Sequence, residues 1–174
     1  MARYFSAAQI SLARRSFAQA EQLTSRYFRM GAAEWSPYDV KTLAFLDKQE
    51  VSGCAFAHLC KYQSRVVSEE GRGDVHFYRI CLHDDRILDA VERAHSFIRL
   101  SPLLLYIAAH ELVHVARFER GEVDFEARAA EKYEEEDKVH RITRNLIKPV
   151  TDTGMNLVLD CFSKSYQIGE LMVQ

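Results

Sequence analysis

The sequence predicts an α+β fold that is mainly helical, one domain over residues 1–174, with a small antiparallel sheet packed on a central helix. Three observations predict it. Apolar residues recur at helical spacing in several separate segments. One of these, Leu103 to Phe118, is apolar almost all round, and such a helix needs neighbours on every side. Two further segments, rich in aromatic and β-branched residues, flank a loop that contains Gly71 and Gly73, which suits an antiparallel hairpin.

Taken in order, Ser6 to Met30 is the first helix, with Ser6 as its cap and Gly31 as its stop. Ile10, Ala13, Phe17, Ala20 and Thr24 form its inward stripe. Arg14, Arg15, Arg26 and Arg29 face outward against a single acid, Glu21. These arginines are expected in solvent or against the acidic stretch later in the chain, rather than on a membrane or nucleic acid. Trp35-Ser36-Pro37 is a turn that places Pro37 at a first helical position, so Tyr38 to Leu46 is a short helix. Val51 to Gln63 and Val75 to Leu82 are the strands, and Ser68 to Asp74 is the loop between them. Asp84 to Ser96 is a helix capped by Asp84 or Asp85, with Ile87, Leu88, Val91 and Ala94 as its stripe. Ser101-Pro102 opens the central helix, which runs to about Arg120 and stops at Gly121. Asp124 caps the next helix, Phe125 to Ile147, which ends before Pro149. Thr151 to Gly154 is a turn, and Met155 to Phe162 is apolar and either helical or extended. The tail around Tyr166-Gln167-Ile168-Gly169 has no pattern that selects a conformation.

Composition removes several function classes. A formal net charge of -2 gives no basic field for nucleic acid. The longest apolar run, around Leu103 to Ala109, is broken too soon by His110 and Glu111 to span a bilayer. Cys54, Cys60, Cys81 and Cys161 are dispersed and read as mostly buried thiols of a reducing compartment. Met1 to Gln9 has no apolar run of signal type, so the expected location is cytoplasmic.

The chemistry sits in His110-Glu111-Leu112-Val113-His114, an H-E-x-x-H sequence inside the central helix. Residues four apart share a helical face, so His110 and His114 can aim two imidazoles at one ion. Glu111, about 100° round the helix, can hold a water beside it. Histidines and a carboxylate on a buried helix need partners, because unpaired buried polar groups are costly. A metal supplies them. Glu119 to Lys138 then carries nine acids against four bases, a supply of further ligands.

From Leu103 to His140 the chain resembles the zincin-type zinc metallopeptidases, in particular the minimal single-domain gluzincins. The metzincin pattern is excluded, since Arg117 stands at its glycine position and Arg120 at its third histidine position. The N-E-x-x-S-D signature of thermolysin-like enzymes is also absent. The resemblance implies Zn²⁺ held by His110, His114 and a carboxylate on the following helix, with an open fourth position for water. Glu131, Glu134, Glu135 and Glu136 are the candidates, and His140 is the alternative. Glu136 is preferred. It lies 22 positions after His114 and, on a helical wheel, falls in the less charged stripe with Ala129, Tyr133, Val139, His140, Thr143 and Ile147. The resemblance further implies a peptide or protein substrate, Glu111 as general base and His140 as a donor to the developing oxyanion or as a group that orients a ligand. Arg117 is a second possible donor, or a bridge to Glu126 or Glu131. Tyr133 and Thr143 are expected in the core of their helix. The other class of function is a non-catalytic metal-binding or regulatory protein on a zincin scaffold. Glu111 favours the hydrolase, because a structural site needs no base.

Overall fold

Every residue from Leu103 to Arg117 is buried, and the rest of the fold arranges that burial. In the computed structural model, which describes residues 1–164, these residues belong to helix α3 (Leu100–Glu119). Against α3 pack α1 (Ala7–Phe28), α2 (Asp84–Arg93), α4 (Ala129–Ile147), α5 (Thr153–Lys164) and the strand β2 (Ala57–Ser68). The described residues thus form a mixed α+β fold, helices around a small sheet. No helix among them is long and apolar enough to cross a membrane.

The sheet has the order β1-β3-β2, with β1 at Tyr38–Lys41 and β3 at Gly71–Leu82. It is mixed rather than wholly antiparallel. β2 and β3 form the expected hairpin, with Ala57 opposite Leu82, while β1 runs parallel to β3 with Tyr38 opposite Tyr78. β2 starts at Ala57 rather than Val51, and both strands run on into the predicted loop and close in a tight turn at Glu69-Glu70. Gly71, at φ 136°, takes a conformation there that side chains disfavour. Alternation then sorts the residues. Ala57, Leu59, Tyr78, Ile80 and Leu82 face the core. His58, Cys60, Tyr62, Arg79 and Cys81 lie on the other face. Arg79 is bound there by Asp39 and by Glu50, and Glu50 also accepts from the Tyr62 hydroxyl.

Several predicted elements change. Tyr38 to Leu46 is not a helix: the Pro37 carbonyl accepts from the Tyr78 N–H at 3.1 Å and starts the parallel ladder. A helix this short is marginal without strong packing, whereas an edge strand gains bonds at once. A single 3₁₀ turn, Leu43–Phe45, follows. The buried Asp84 accepts from the N–H groups of Leu43 and Phe5, at 3.0 and 2.9 Å, and so ties both segments to the start of α2. Helix α4 begins at Ala129, not Phe125, because Asp124 caps a separate turn through the N–H groups of Glu126 and Ala127. Met155 to Phe162 is helical, within α5, and buries Met155, Val158 and Phe162. Ser6 caps α1 as expected, in a reciprocal pair with Gln9. Arg29, at φ 55°, ends that helix two residues before Gly31. The tail at Tyr166 to Gly169 lies outside the described residues.

The arginines of α1 do not meet the acidic stretch. Arg14 and Arg15 are exposed, and among the described residues no ion pair joins them to Glu119–Asp137. The contact runs the other way: Arg120 lies over the Phe28 ring at 5.6 Å and donates to the Phe28 carbonyl.

Leu104 is fully buried at the centre of this packing. Leu104→Ala is expected to cost about 2–5 kcal/mol, the range for removing a buried leucine side chain. Urea unfolding should show a lowered midpoint with an unchanged slope.

Candidate metal centre

Helical spacing builds one wall of the site. Tyr106, His110, His114 and Phe118 follow at intervals of four, so they form one stripe along α3. The His110 and His114 rings lie edge to face at 4.9 Å, and Phe118 stacks on His114. The two Nε2 atoms are 3.2 Å apart. Glu136 of α4 closes the group: its Oε2 is 3.2 Å from His110 Nε2 and its Oε1 is 3.0 Å from His114 Nε2. A tetrahedral ion with bonds of about 2.0–2.1 Å to nitrogen and oxygen sets its donors about 3.3 Å apart. The three residues therefore fit a small tetrahedral cation with little adjustment. Of the glutamates considered from sequence, Glu131 and Glu134 are exposed, and neither joins the group.

Glu135 is engaged elsewhere. Its two oxygens accept from Nε and a terminal nitrogen of Arg117 at 2.6 and 2.9 Å, and both side chains are buried. Arg117 also reaches Glu122. Arg117 is thus the bridge from the motif helix to the acidic helix, with Glu135 as partner in place of Glu126 or Glu131. The hydrogen bond to Glu135 is the main reason that its pKa is raised, so it is a permanent cation.

His140 lies one turn beyond Glu136 and is buried. Its Nδ1 is 2.7 Å from the Tyr106 hydroxyl, and its Nε2 has no hydrogen-bond partner. A donor atom of His140 lies within 4.8 Å of those of His110 and Glu136. Burial, then the charge of His110, pushes its pKa down to about 3, so the ring is neutral. Tyr106 carries no motif of its own, but its position four before His110 places it on the ligand face.

A cavity of about 620 Å³ opens in front of this group. His110, Glu111, His114 and Glu136 line it, opposite Ala57, His58 and Leu59 of β2. His140 is not part of that lining. Tyr133 is, and it is 52% exposed, so it is a wall of the cavity rather than the core residue its spacing predicts. The first turns of α4 stand over this opening, and the inward stripe is fully covered only from Val139 onward. Thr143 is buried as expected, its hydroxyl donating to the Val139 carbonyl.

Electrostatics separate the carboxylates. Burial raises the pKa of Glu111, against the lowering effect of His110 and His114. Burial works the same way on Glu136, but hydrogen bonds from the two histidines outweigh it and hold Glu136 well below the usual carboxylate range. Burial lowers His114, yet the hydrogen bond and charge of Glu136, with Glu111 and Glu135, outweigh it, so its pKa is raised. Glu111 is the more basic carboxylate and Glu136 the committed anion.

Comparison with protein-family models, with curated proteins and with solved structures finds no match for this chain.

Two expectations follow. Without zinc, Glu136 contributes stability above its ordinary 4.5 and loses it as pH falls through the lowered value. His114 contributes fully below its ordinary 6.5 and loses it as pH rises through the raised value. The zinc-free pair is therefore strongest between these pH values. A zinc ion held by this group would require neutral His114, so a rise in melting temperature on adding zinc should grow from mildly acid to mildly alkaline solution. An equal rise at both would contradict this. Secondly, Glu135→Ala strands the buried Arg117 charge and should cost about 3–5 kcal/mol in denaturation experiments. Zinc stoichiometry of the folded fraction should be unchanged, because Glu135 is not a ligand.

Proposed function

We propose that this chain is a zincin-like zinc-dependent hydrolase, a small peptidase in which His110, His114 and Glu136 hold the metal. The observation that carries the proposal is the meeting of both Glu136 oxygens with the two Nε2 atoms, on a cavity wall that also carries Glu111. Two histidines and one glutamate are a donor set of catalytic zinc sites, which leave a fourth position open. Zinc there would polarise a substrate carbonyl and acidify a water.

The protein's own groups do the rest. Glu111 accepts the proton of the attacking water and passes it to the leaving amine. Its raised pKa suits both duties, since a base that is too weak cannot take the proton and one too strong cannot release it. β2 is an edge strand, and residues 57–59 border the cavity. An extended peptide can add to that edge through its backbone, which aligns a scissile bond with Glu111. His140 stands away from the cavity, so it acts by orienting the ligands through Tyr106 rather than by touching substrate.

One observation favours the non-catalytic alternative. His140 lies close enough to His110 and Glu136 to be a further ligand, and a site with four protein ligands is a structural one. The same experiment separates the two. Zinc-loaded wild type should cleave peptides in a mixed digest. Glu111→Gln should keep its zinc and lose about 10²-fold or more of the activity. Glu136→Ala should lose the zinc itself. If zinc-loaded wild type cleaves nothing while Glu136→Ala still loses zinc, the site is structural.

A further inference from the structure

The sheet face that carries Arg79 holds a second group of candidate metal donors, which shares no residue with the proposed hydrolase ligands although His58 borders the same cavity. His58 and Cys60 are two apart on β2 and so share a face, and the register puts Cys81 of β3 opposite His58. The Cys60 sulfur is 3.6 Å from His58 Nε2 and 3.9 Å from the Cys81 sulfur. The three donor atoms all lie within 4.8 Å of one another. The cysteines are free, and their sulfurs are well beyond the disulfide bond length of about 2.05 Å.

Those spacings match a tetrahedral thiolate site. With bonds of about 2.3 Å to sulfur and about 2.0–2.1 Å to nitrogen, two sulfurs stand about 3.8 Å apart, and sulfur and nitrogen about 3.6 Å. Two cations act nearby: Arg79 is neutralised by Asp39 and Glu50, and Arg86, whose charge acts on His58, donates to the Ala55 carbonyl. Cys81 is buried, while Cys60 and His58 are half-buried, and His58 also borders the cavity. The cluster is therefore reachable from one side.

We propose that His58, Cys60 and Cys81 bind a zinc ion through two thiolates and one imidazole, with the fourth position open on the His58 side. Soft thiolate ligands distinguish this site from the His110, His114 and Glu136 group, which contains no sulfur. A metal here would cross-link β2 to β3 and stiffen the strand edge that borders the cavity.

The test titrates reduced, metal-free, full-length protein with Co²⁺. Thiolate ligation to cobalt produces a near-ultraviolet charge-transfer band, and nitrogen and oxygen ligands do not. Wild type should show the band, and zinc should displace it. His110→Ala with His114→Ala should leave it intact, so failure of the hydrolase site and failure of this one read differently. Cys60→Ser and Cys81→Ser should each abolish it and reduce zinc from about two per chain to about one. Where a serine variant does not fold, wild type still decides: zinc should protect the half-buried Cys60 from alkylation while Cys54, which is exposed, reacts. No cobalt band in wild type, a band that survives both serine variants, or alkylation of Cys60 unaffected by zinc would each overturn the proposal.

Discussion

Two imidazole nitrogens face each other 3.2 Å apart inside a helix with no exposed side from Leu103 to Arg117. That pairing constrains everything around it. Lone pairs that meet at such a distance repel unless a proton or a cation lies between them, and both rings are almost wholly buried. The carboxylate of Glu136 answers this constraint, and so does the position of α4, which must bring that carboxylate to both rings. A proton on His114, or a cation, then balances the Glu136 carboxylate, and the group faces a cavity rather than a packed wall.

Apolar helices usually avoid such groups altogether. Here α3 carries three of them at 2–8% exposure. His110, Glu111, His114 and Glu136 all border the cavity, Glu111 as the more buried carboxylate and Glu136 in contact with both imidazoles. Burial holds Glu111 toward the neutral form, whereas hydrogen bonds from His110 and His114 make Glu136 strongly acidic in spite of its burial. Environment, not residue type, sets the two roles.

Much of this was legible in the chain itself. The i, i+4 spacing of His110 and His114 and the apolar run about them fixed both the helix and its burial. The wheel on the following helix separated Glu136 from Glu131 and Glu134, because only an inward carboxylate needs a cation. Periodicity could not tell that Tyr133 faces a cavity, since a cavity wall and a core wall share one helical phase. It also missed β1, whose four residues become a strand only because β3 offers them a partner. Arg117 was recognisable as a bridge, but its choice of Glu135 depends on where α4 begins, and a cap at Asp124 misplaces that start by four residues. The grouping of His58, Cys60 and Cys81 rests on strand register, which a reading of separate segments does not contain.

Adjacent side chains on a helix point about 100° apart, so Glu135 and Glu136 act as one key with two teeth. Arg117 grips the first tooth from two directions, and the rotation of α4 about its own axis is thereby set. The segment of residues 120–128 that precedes the key has no such fixed phase, and most of it is exposed or half-exposed. Its non-helical backbone can take up a change of length without turning the helix, provided that Glu122 still reaches Arg117 and Phe125 keeps its place on Tyr78 and Phe118. A single residue gained or lost between Glu136 and Val139 would instead rotate the covered end of α4 against its gripped end. A change of length is thus easier to absorb in the segment before α4 than inside the helix beyond the acid pair.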